Sequence, residues 1–377
     1  MNAIILTMLL TDLIIIPFCA FTPYFTRKTE LFGVSIPESE SQNPECRKFR
    51  KGYAATMLFF GAVMLLLTFI QMYGADQNDT RTVLWPMVTI FGYLIASFIV
   101  YLGMRSKMLE LKAKNGWQSP RDGLPAVMVA VSEAPQKDII SSAWLLIYPL
   151  IFLITIAGLM IAWPHVPDPY PSHFNIEGVA DAWTAKTISS TFFLLGTQLV
   201  MAAMFIGIHF VVKHSKRQID AQNPEKSMFQ LKVYRRMMSM MMLLVGAATN
   251  LLFAGIQVIM ILPGVSTGVF FGVSLTVYML VVILGCIRMY MVGQGGSRVK
   301  FDENKGETAE VQQININDDK YWILGILYCN PKDPSVFVEK RFGIGYTVNI
   351  GTFGGMAFMA GIVIILVGSI VLTVMAL

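Results

Sequence analysis

The sequence predicts an all-α integral membrane protein with about eight transmembrane helices and a small β-containing cytoplasmic module built from its loops. Apolar residue types make up 55% of the 377 residues and charged types only 14%, whereas soluble domains carry roughly 25% charged residues. Several near-continuous apolar runs are each long enough to cross a hydrocarbon core of about 30 Å. The polar segments between them have the character of the loops of a polytopic protein.

The apolar runs also define the expected organisation of the chain. We expect spans 1–3 with their cytoplasmic loops in residues 1–140, spans 4 and 5 in residues 141–236, spans 6 and 7 in residues 237–293, a cytoplasmic β-containing segment in residues 294–350, and span 8 in residues 351–377. Residues 164–186 form a polar loop between spans 4 and 5. The first run lacks a basic n-region and a small-residue cleavage site, so we interpret it as a span rather than a signal peptide.

Lysine and arginine are distributed very unevenly between alternate loops. The polar segments 24–52, 105–140, 213–236 and 288–350 carry 27 of them, whereas the segments 75–82, 164–186 and 263–268 carry 2. Because cytoplasmic loops hold the excess of basic residues, the basic segments are predicted to be cytoplasmic. Both termini and the loop at residues 164–186 are then extracytoplasmic. This topology accounts for the net charge of +5 without a nucleic-acid partner.

Short apolar stretches inside the basic segments predict β-strands. They lie around Phe32, in residues 126–131, around Ile314 and near Trp322. Isolated strands are not stable in water, and the predicted topology puts all four stretches on one side of the membrane. We therefore expect them to assemble into one cytoplasmic module.

The loop at residues 164–186, PHVPDPYPSHFNIEGVADAWTAK, concentrates the polar chemistry of the chain. We expect its candidate ligand- or partner-binding residues to be His173, Phe174, Asn175, Asp181, Trp183 and Lys186. His173 and Asp181 would orient the loop, the two aromatic side chains would supply apolar contact, and Lys186 would sit at the membrane interface. A histidine here would make binding depend on pH near neutrality. Alternatively, the polar side chains only tie a tight loop to backbone groups, and Trp183 is an interface anchor.

The motif P-x-H-F-N-x-x-G-x-x-D-x-W-x-x-K, from Pro171 to Lys186, resembles the bacterial membrane domain of unknown function shared with SdpI-type immunity proteins. Those polytopic proteins protect a producer cell from its own secreted toxic peptide. A second stretch, residues 330–351, resembles a C-terminal domain of unknown function often joined to the first. The resemblance implies a bacterial cytoplasmic (inner) membrane protein with an immunity or signalling role.

The polar residues inside the predicted spans that could line an ion path are Asp12, His209, Asn250 and Gln257. An ionisable or polar group at membrane depth is costly, so each one indicates either a partner on another helix or a pathway for an ion or solute. They favour a second interpretation of the chain, as a secondary transporter.

A metal-dependent membrane hydrolase is the third interpretation. His165, Asp168, His173 and Asp181 are possible zinc ligands, although the sequence has no HExxH or similar spacing. The four cysteines are scattered without CxxC spacing. The sequence therefore favours a non-enzymatic protein without a cofactor, whose partners are the lipid bilayer and a peptide, an envelope component or another membrane protein.

Overall fold

The structure, a computed structural model, describes residues 3–73, 81–117, 138–174, 179–217, 224–261, 267–301 and 319–376. These residues are mostly helical. The α-helices of the described chain are α1 Ala3–Ala20, α2 Thr22–Phe25, α3 Pro44–Tyr73, α4 Arg81–Lys114, α5 Ile147–Ala162, α6 Ile188–His214, α7 Pro224–Ile261, α8 Thr267–Val292 and α9 Phe353–Ala376. The predicted strand at residues 126–131 and the one around Ile314 lie outside the described residues.

Six stretches of the described chain, corresponding to α3–α8, are helical, long and apolar enough to cross a membrane. Shorter apolar helical stretches lie near the two ends, at Thr11–Ala20 and Phe353–Ile364. The chain thus has the features of a multi-pass membrane protein, while the count of eight spans stays a prediction.

Helix boundaries differ from the predicted spans where polar residues continue the helix. α4 runs through the charged stretch to Lys114, and the chain turns at Gly116. α3 begins at Pro44, several residues before the apolar run, and proline suits the first helical position because its missing N–H would be unpaired there. The first predicted span is broken at Phe21, between α1 and α2. Pro23 lacks an N–H donor and lies in the first turn of α2, where that donor would have no partner within the helix.

The strands of the described chain pair in four separate two-stranded antiparallel sheets. They are β1 Glu30–Leu31 with β2 Val34–Ser35, β3 Tyr170–Phe174 with β4 Ala180–Thr184, β5 Trp322–Ile323 with β6 Leu327–Tyr328, and β7 Phe337–Glu339 with β8 Tyr346–Val348. Three differences from the predicted strands follow. The single strand expected around Phe32 is a hairpin, the region that follows Trp322 holds the four strands β5–β8, and the polar loop at residues 164–186 contains a hairpin.

The hairpin β1–β2 forms because two successive residues adopt positive φ. Phe32 has φ +50° and Gly33 has φ +72°, which is the backbone geometry of a two-residue turn between twisted antiparallel strands. Leu31 faces Val34 directly across this turn. Phenylalanine rarely takes positive φ, so the sequence alone favoured a continuous strand.

The chain forms two compact units. The first unit comprises Met1–Glu133, His214–Leu231 and Gly293–Leu377, and the second comprises Ala134–Lys213 and Lys232–Val292. Each unit is therefore assembled from stretches that are distant in the sequence.

In the first unit, the hairpins β1–β2 and β5–β6 meet at two glycines. A Cβ atom added to Gly33 would lie 2.7 Å from the carbonyl oxygen of Gly325 and 2.6 Å from the hydroxyl of Tyr101. Tyr101 donates to the carbonyl of Leu324 at 2.9 Å, and Arg105 donates to that of Gly33 at 2.7 Å. The described hairpins of the first unit are thus in contact with α4, while their membership of one cytoplasmic module stays a prediction.

Two polar networks fix β5–β8 in the first unit. Asp319 accepts hydrogen bonds from Lys112, at 2.6 Å, and from Arg341. Asn349 donates to the carbonyls of Asn330 and Asp333 at 2.9 and 3.0 Å. The second network lies within residues 330–351, whose polar residues therefore serve the fold here.

The core of the second unit joins α5, α6 and α7. Leu159, Val166, Tyr170, Leu195 and Ile261 form one buried cluster. Because Val166 and Tyr170 flank the start of β3, this cluster fixes the base of the β3–β4 hairpin to the helix ends.

Candidate functional site

The candidate site is the β3–β4 hairpin of the second unit. Its register pairs Tyr170 with Thr184, Pro171 with Trp183, and Phe174 with Ala180, with irregularities on either side of His173. An irregular strand of this kind bends and redirects a side chain. The turn of the hairpin, including Asn175, lies outside the described residues. The binding role predicted for Asn175 therefore stays a prediction.

The base of the hairpin is held by Lys186. Its Nζ donates to the carbonyl of Val166 at 3.0 Å and lies 5.0 Å from the centre of the Trp163 ring. Its backbone N–H donates to the carboxylate of Asp168 at 3.0 Å. Lys186 thus ties the two ends of the loop together. Of the candidate residues, it best fits the alternative in which a polar side chain only holds the loop to backbone groups.

The hairpin also carries an exposed pair of side chains. Nδ1 of His173 lies 2.5 Å from Oδ1 of Asp181, and the two side chains are 68% and 45% exposed. A contact this exposed contributes little to stability, because water screens it and both side chains lose rotamer freedom. The pair orders two polar groups on an open surface, where a partner can reach the rest of each side chain.

The two aromatic candidates differ in their surroundings. The ring of Phe174 lies 6.2 Å from that of Phe271, so it packs against α8 within the second unit. Trp183, in contrast, is 58% exposed. Trp183 is therefore the aromatic side chain that the hairpin presents outward.

The hairpin leaves a strand edge uncovered. Among the described residues, no third strand pairs with β3 or β4. Pro171 in β3 has no N–H to donate, which makes that edge a poor template for pairing. β4 contains no proline, and Asp181, Ala182 and Trp183 are all exposed, so β4 has the better edge for an added strand.

Inside the helices of the second unit, Gln198 joins two of the predicted polar residues. Its Nε2 lies 3.4 Å from the carbonyl of Asn250 and 3.4 Å from the hydroxyl of Thr155, and its Oε1 accepts from Gln257 at 3.3 Å. Gln198, Asn250 and Gln257 are all buried. Oδ1 of Asn250 and Oε1 of Gln257 have no hydrogen-bond partner in the part of the chain that is described.

The other two predicted polar residues have separate partners. Asp12 is buried in the first unit and accepts a hydrogen bond from Thr68 at 2.9 Å. His209 is buried in the second unit, with Nε2 at 3.2 Å from the hydroxyl of Ser142. The four residues therefore do not form one continuous cluster of direct hydrogen bonds among the described side chains.

Sequence reasoning missed Gln198 and Thr155. Both lie within long apolar runs, as Asn250 and Gln257 do. Treating every amide inside a span as equally costly would have found Gln198.

The described residues do not form the ligand cluster that the zinc interpretation requires. Over residues 3–73, 81–117, 138–174, 179–217, 224–261, 267–301 and 319–376, no three His, Cys, Asp or Glu side chains are grouped closely enough to hold a metal ion. Of the four possible ligands, His173 and Asp181 contact each other, whereas Asp168 contacts the backbone of Lys186.

Two segments of the chain match known families. Residues 150–199 match a domain of unknown function (DUF1648), and residues 331–356 match a family of unknown function (DUF5808). The first match contains the whole β3–β4 hairpin, and the second contains β7, β8 and the start of α9. No curated protein and no solved structure matches the chain. The matches are consistent with a family of unknown function.

Proposed function

We propose that the β3–β4 hairpin binds an extended peptide segment, either of a secreted peptide or of a partner membrane protein. The observation that carries the proposal is the uncovered edge of β4, which runs beside exposed Trp183 and the His173–Asp181 pair on a base fixed by Lys186. Extended peptides bind sheet edges through main-chain hydrogen bonds, and alternate side chains supply the specificity.

The chemistry of the hairpin selects a type of peptide. Trp183 would cover an apolar side chain of the peptide, because tryptophan combines a large rigid contact area with few rotatable bonds and dominates many interfaces. Asp181 would accept a hydrogen bond from a basic side chain or a backbone N–H. The preferred peptide thus carries an apolar residue close to a basic one.

In this proposal the hairpin lies outside a bacterial inner membrane, as the distribution of basic residues predicts. The resemblance to SdpI-type immunity proteins supports a peptide as the ligand and suggests a protective or signalling role. An envelope component that offers no extended main chain would not use the β4 edge.

The test is purification from the native membrane in mild detergent, followed by mass spectrometry of bound peptides and proteins. Wild-type protein should retain a stoichiometric peptide or partner, and Trp183→Ala and Asp181→Asn should lose it. Trp144→Ala is the matched control, because Trp144 is 65% exposed but lies just before α5, at the end opposite the hairpin. The proposal fails if the wild type carries no peptide or partner, or if all variants retain the same one.

The buried amides favour one second candidate, a secondary transporter. Two acceptor oxygens without described partners beside Gln198 would suit a polar solute or an ion passing through the second unit. Gln198→Met should then abolish accumulation or efflux of that solute while the protein still folds. Thr249→Val, which removes a hydroxyl bonded to its own helix at 2.8 Å, should leave transport unchanged. Equal transport by both variants would rule this candidate out.

A further inference from the structure

The first unit contains a strongly basic cavity of about 300 Å³. It is lined by residues of α2 and the loop after it, by the 3₁₀ turn Glu38–Gln42, by the first turns of α3, and by the segment after α8. Its basic side chains are Arg27, Lys28, Arg47, Arg50, Lys51 and Arg298. No aspartate or glutamate is among the described residues that line it.

Neutral oxygen atoms hold several of these cations in place. Arg50 donates to the backbone carbonyl of Ser41 at 2.7 Å, and Arg47 donates to the side-chain oxygen of Gln42 at 3.1 Å. Arg298 donates to the carbonyl of Tyr24. Bonds of this kind fix the position of a guanidinium without cancelling its charge.

Acidic side chains near the cavity compensate part of the charge. Glu339 pairs with Arg27, and Glu38 lies 3.9 Å from Lys28 and 3.4 Å from Lys226. No carboxylate of the described chain lies within ion-pair distance of Arg47, Arg50 or Lys51. Their like charges repel one another in the absence of a counter-ion, and an anion in the cavity would remove this cost.

The geometry points to a phosphate group as the ligand of this cavity. Guanidinium groups form paired hydrogen bonds with the oxygens of a phosphate, and four of the six cations here are arginines. Ser297 also lines the cavity, and its buried hydroxyl has no hydrogen-bond partner among the described residues. It would supply a neutral donor. The cavity is at the lower end of the volumes that hold small ligands.

A phosphate group can come from a lipid headgroup or from a soluble phosphate. The apolar surfaces of two helices begin within a few residues of the cavity, at exposed Phe21 and at exposed Leu58 and Phe59. A phosphate site next to such surfaces lies at headgroup depth if α3 spans the bilayer, where anionic lipids attract basic side chains. The position therefore favours a lipid, and the two sources predict different outcomes below.

The experiment uses the full-length protein purified in neutral detergent, with thermal unfolding as the readout. One series titrates inorganic phosphate, and the other titrates short-chain phosphatidylglycerol. The test variant is Arg47→Gln with Lys51→Gln, because both side chains are exposed and their loss should leave the fold intact. The control variant is Lys48→Gln with Lys107→Gln, which removes two exposed charges from α3 and α4 outside the cavity.

We expect at least one probe to raise the unfolding temperature of the wild type and of the control variant. The affinity of the test variant should be weaker by about tenfold or more, since it loses charge-assisted hydrogen bonds. A shift with inorganic phosphate identifies a soluble ligand, and a shift with phosphatidylglycerol alone identifies a lipid headgroup. The inference is overturned if neither probe shifts the wild type, or if both double variants lose affinity equally.

Discussion

Lys186 shows how one side chain can decide the position of a recognition element. It bridges Val166, Trp163 and, through its backbone, Asp168. The motif that carries the family resemblance therefore mixes two kinds of residue. Lys186 holds the hairpin to the helix ends, whereas His173, Asp181 and Trp183 are presented outward.

Replacing Lys186 by methionine should lower the free energy of unfolding by about 1–2 kcal/mol. The variant loses a charged hydrogen bond and a cation–π contact, each partly exposed. Thermal unfolding in detergent would measure the loss. Lys232→Met is the control, because Lys232 is exposed on α7 of the same unit and its removal should cost close to nothing. Equal stability of the two variants would contradict the anchoring role.

Alanine substitutions at Gly33 and Gly103 test the contact between the two hairpins, with Gly103 as the control. Gly33→Ala should destabilise the protein by more than about 2 kcal/mol, because its φ of +72° disfavours a side chain and the added carbon would lie 2.7 Å from the carbonyl oxygen of Gly325. Gly103 lies inside α4, and a Cβ atom added to it would meet no atom within 4 Å beyond the neighbouring backbone of its own helix. Alanine favours a helix by up to about 1 kcal/mol over glycine, so this control should be neutral or stabilising. A tolerated Gly33→Ala would contradict the close approach of the two hairpins.

At the level of elements, the strands β5–β8 depend on two carboxylates, those of half-buried Asp319 and buried Asp333. Burial alone would raise the pKa of Asp319, but Arg341 and Lys112 outweigh it and hold this pKa below its ordinary value of 3.8. Burial likewise opposes a lowered pKa at Asp333, where Lys216 and Ser335 outweigh it. Both carboxylates therefore favour the folded state only while they are ionised.

The sign of the resulting pH dependence follows from linkage. A carboxyl whose pKa is lower in the folded state gives its full stabilisation above its unfolded pKa and loses it as the pH falls through the folded pKa. The unfolding temperature should thus be steady from about pH 7 to pH 5 and should fall below about pH 4. Asp319→Asn should be less stable at pH 7 and should lose less on acidification. Glu110→Gln, an exposed change on α4, should follow the wild type. A profile for Asp319→Asn parallel to that of the wild type would contradict the assignment.

The elements also show where sequence reasoning succeeds. The length of the apolar runs predicted the helices α3–α8 well, because a chain segment that crosses lipid must satisfy its backbone hydrogen bonds within one helix. It missed the hairpins, since the turn at Phe32 and Gly33 lacks the usual Asn-Gly signature. The prolines of the loop at residues 164–186 argued against a strand, and β3 was therefore not predicted there. Contacts between distant elements, such as those of Gln198, left no signal in local sequence.

At the scale of the whole molecule, the predicted sidedness follows from the loop charges and has a direct test. In a background with Cys19, Cys46, Cys286 and Cys329 replaced by alanine, a cysteine is placed at exposed Ala185 or at exposed Lys48. A membrane-impermeant maleimide should label Ala185→Cys in intact cells and should label Lys48→Cys only after the cells are opened. Labelling of both, or the reverse order, would contradict the predicted orientation of the hairpin.

The first unit is built from three separate stretches of the chain, and this has a consequence for biosynthesis. Arg341 and the carbonyl of Gly33, which it contacts at 3.4 Å, are 308 residues apart in the sequence. During translation the hairpin β1–β2 emerges early, but its contacts with Gly325 and Arg341 can form only after the whole second unit has been made. A nascent chain that ends before β5 lacks part of the packing around Phe32 and Tyr101, whose rings lie 5.9 and 4.5 Å from the ring of Phe342. The last strands of the chain therefore complete the packing of its earliest hairpin.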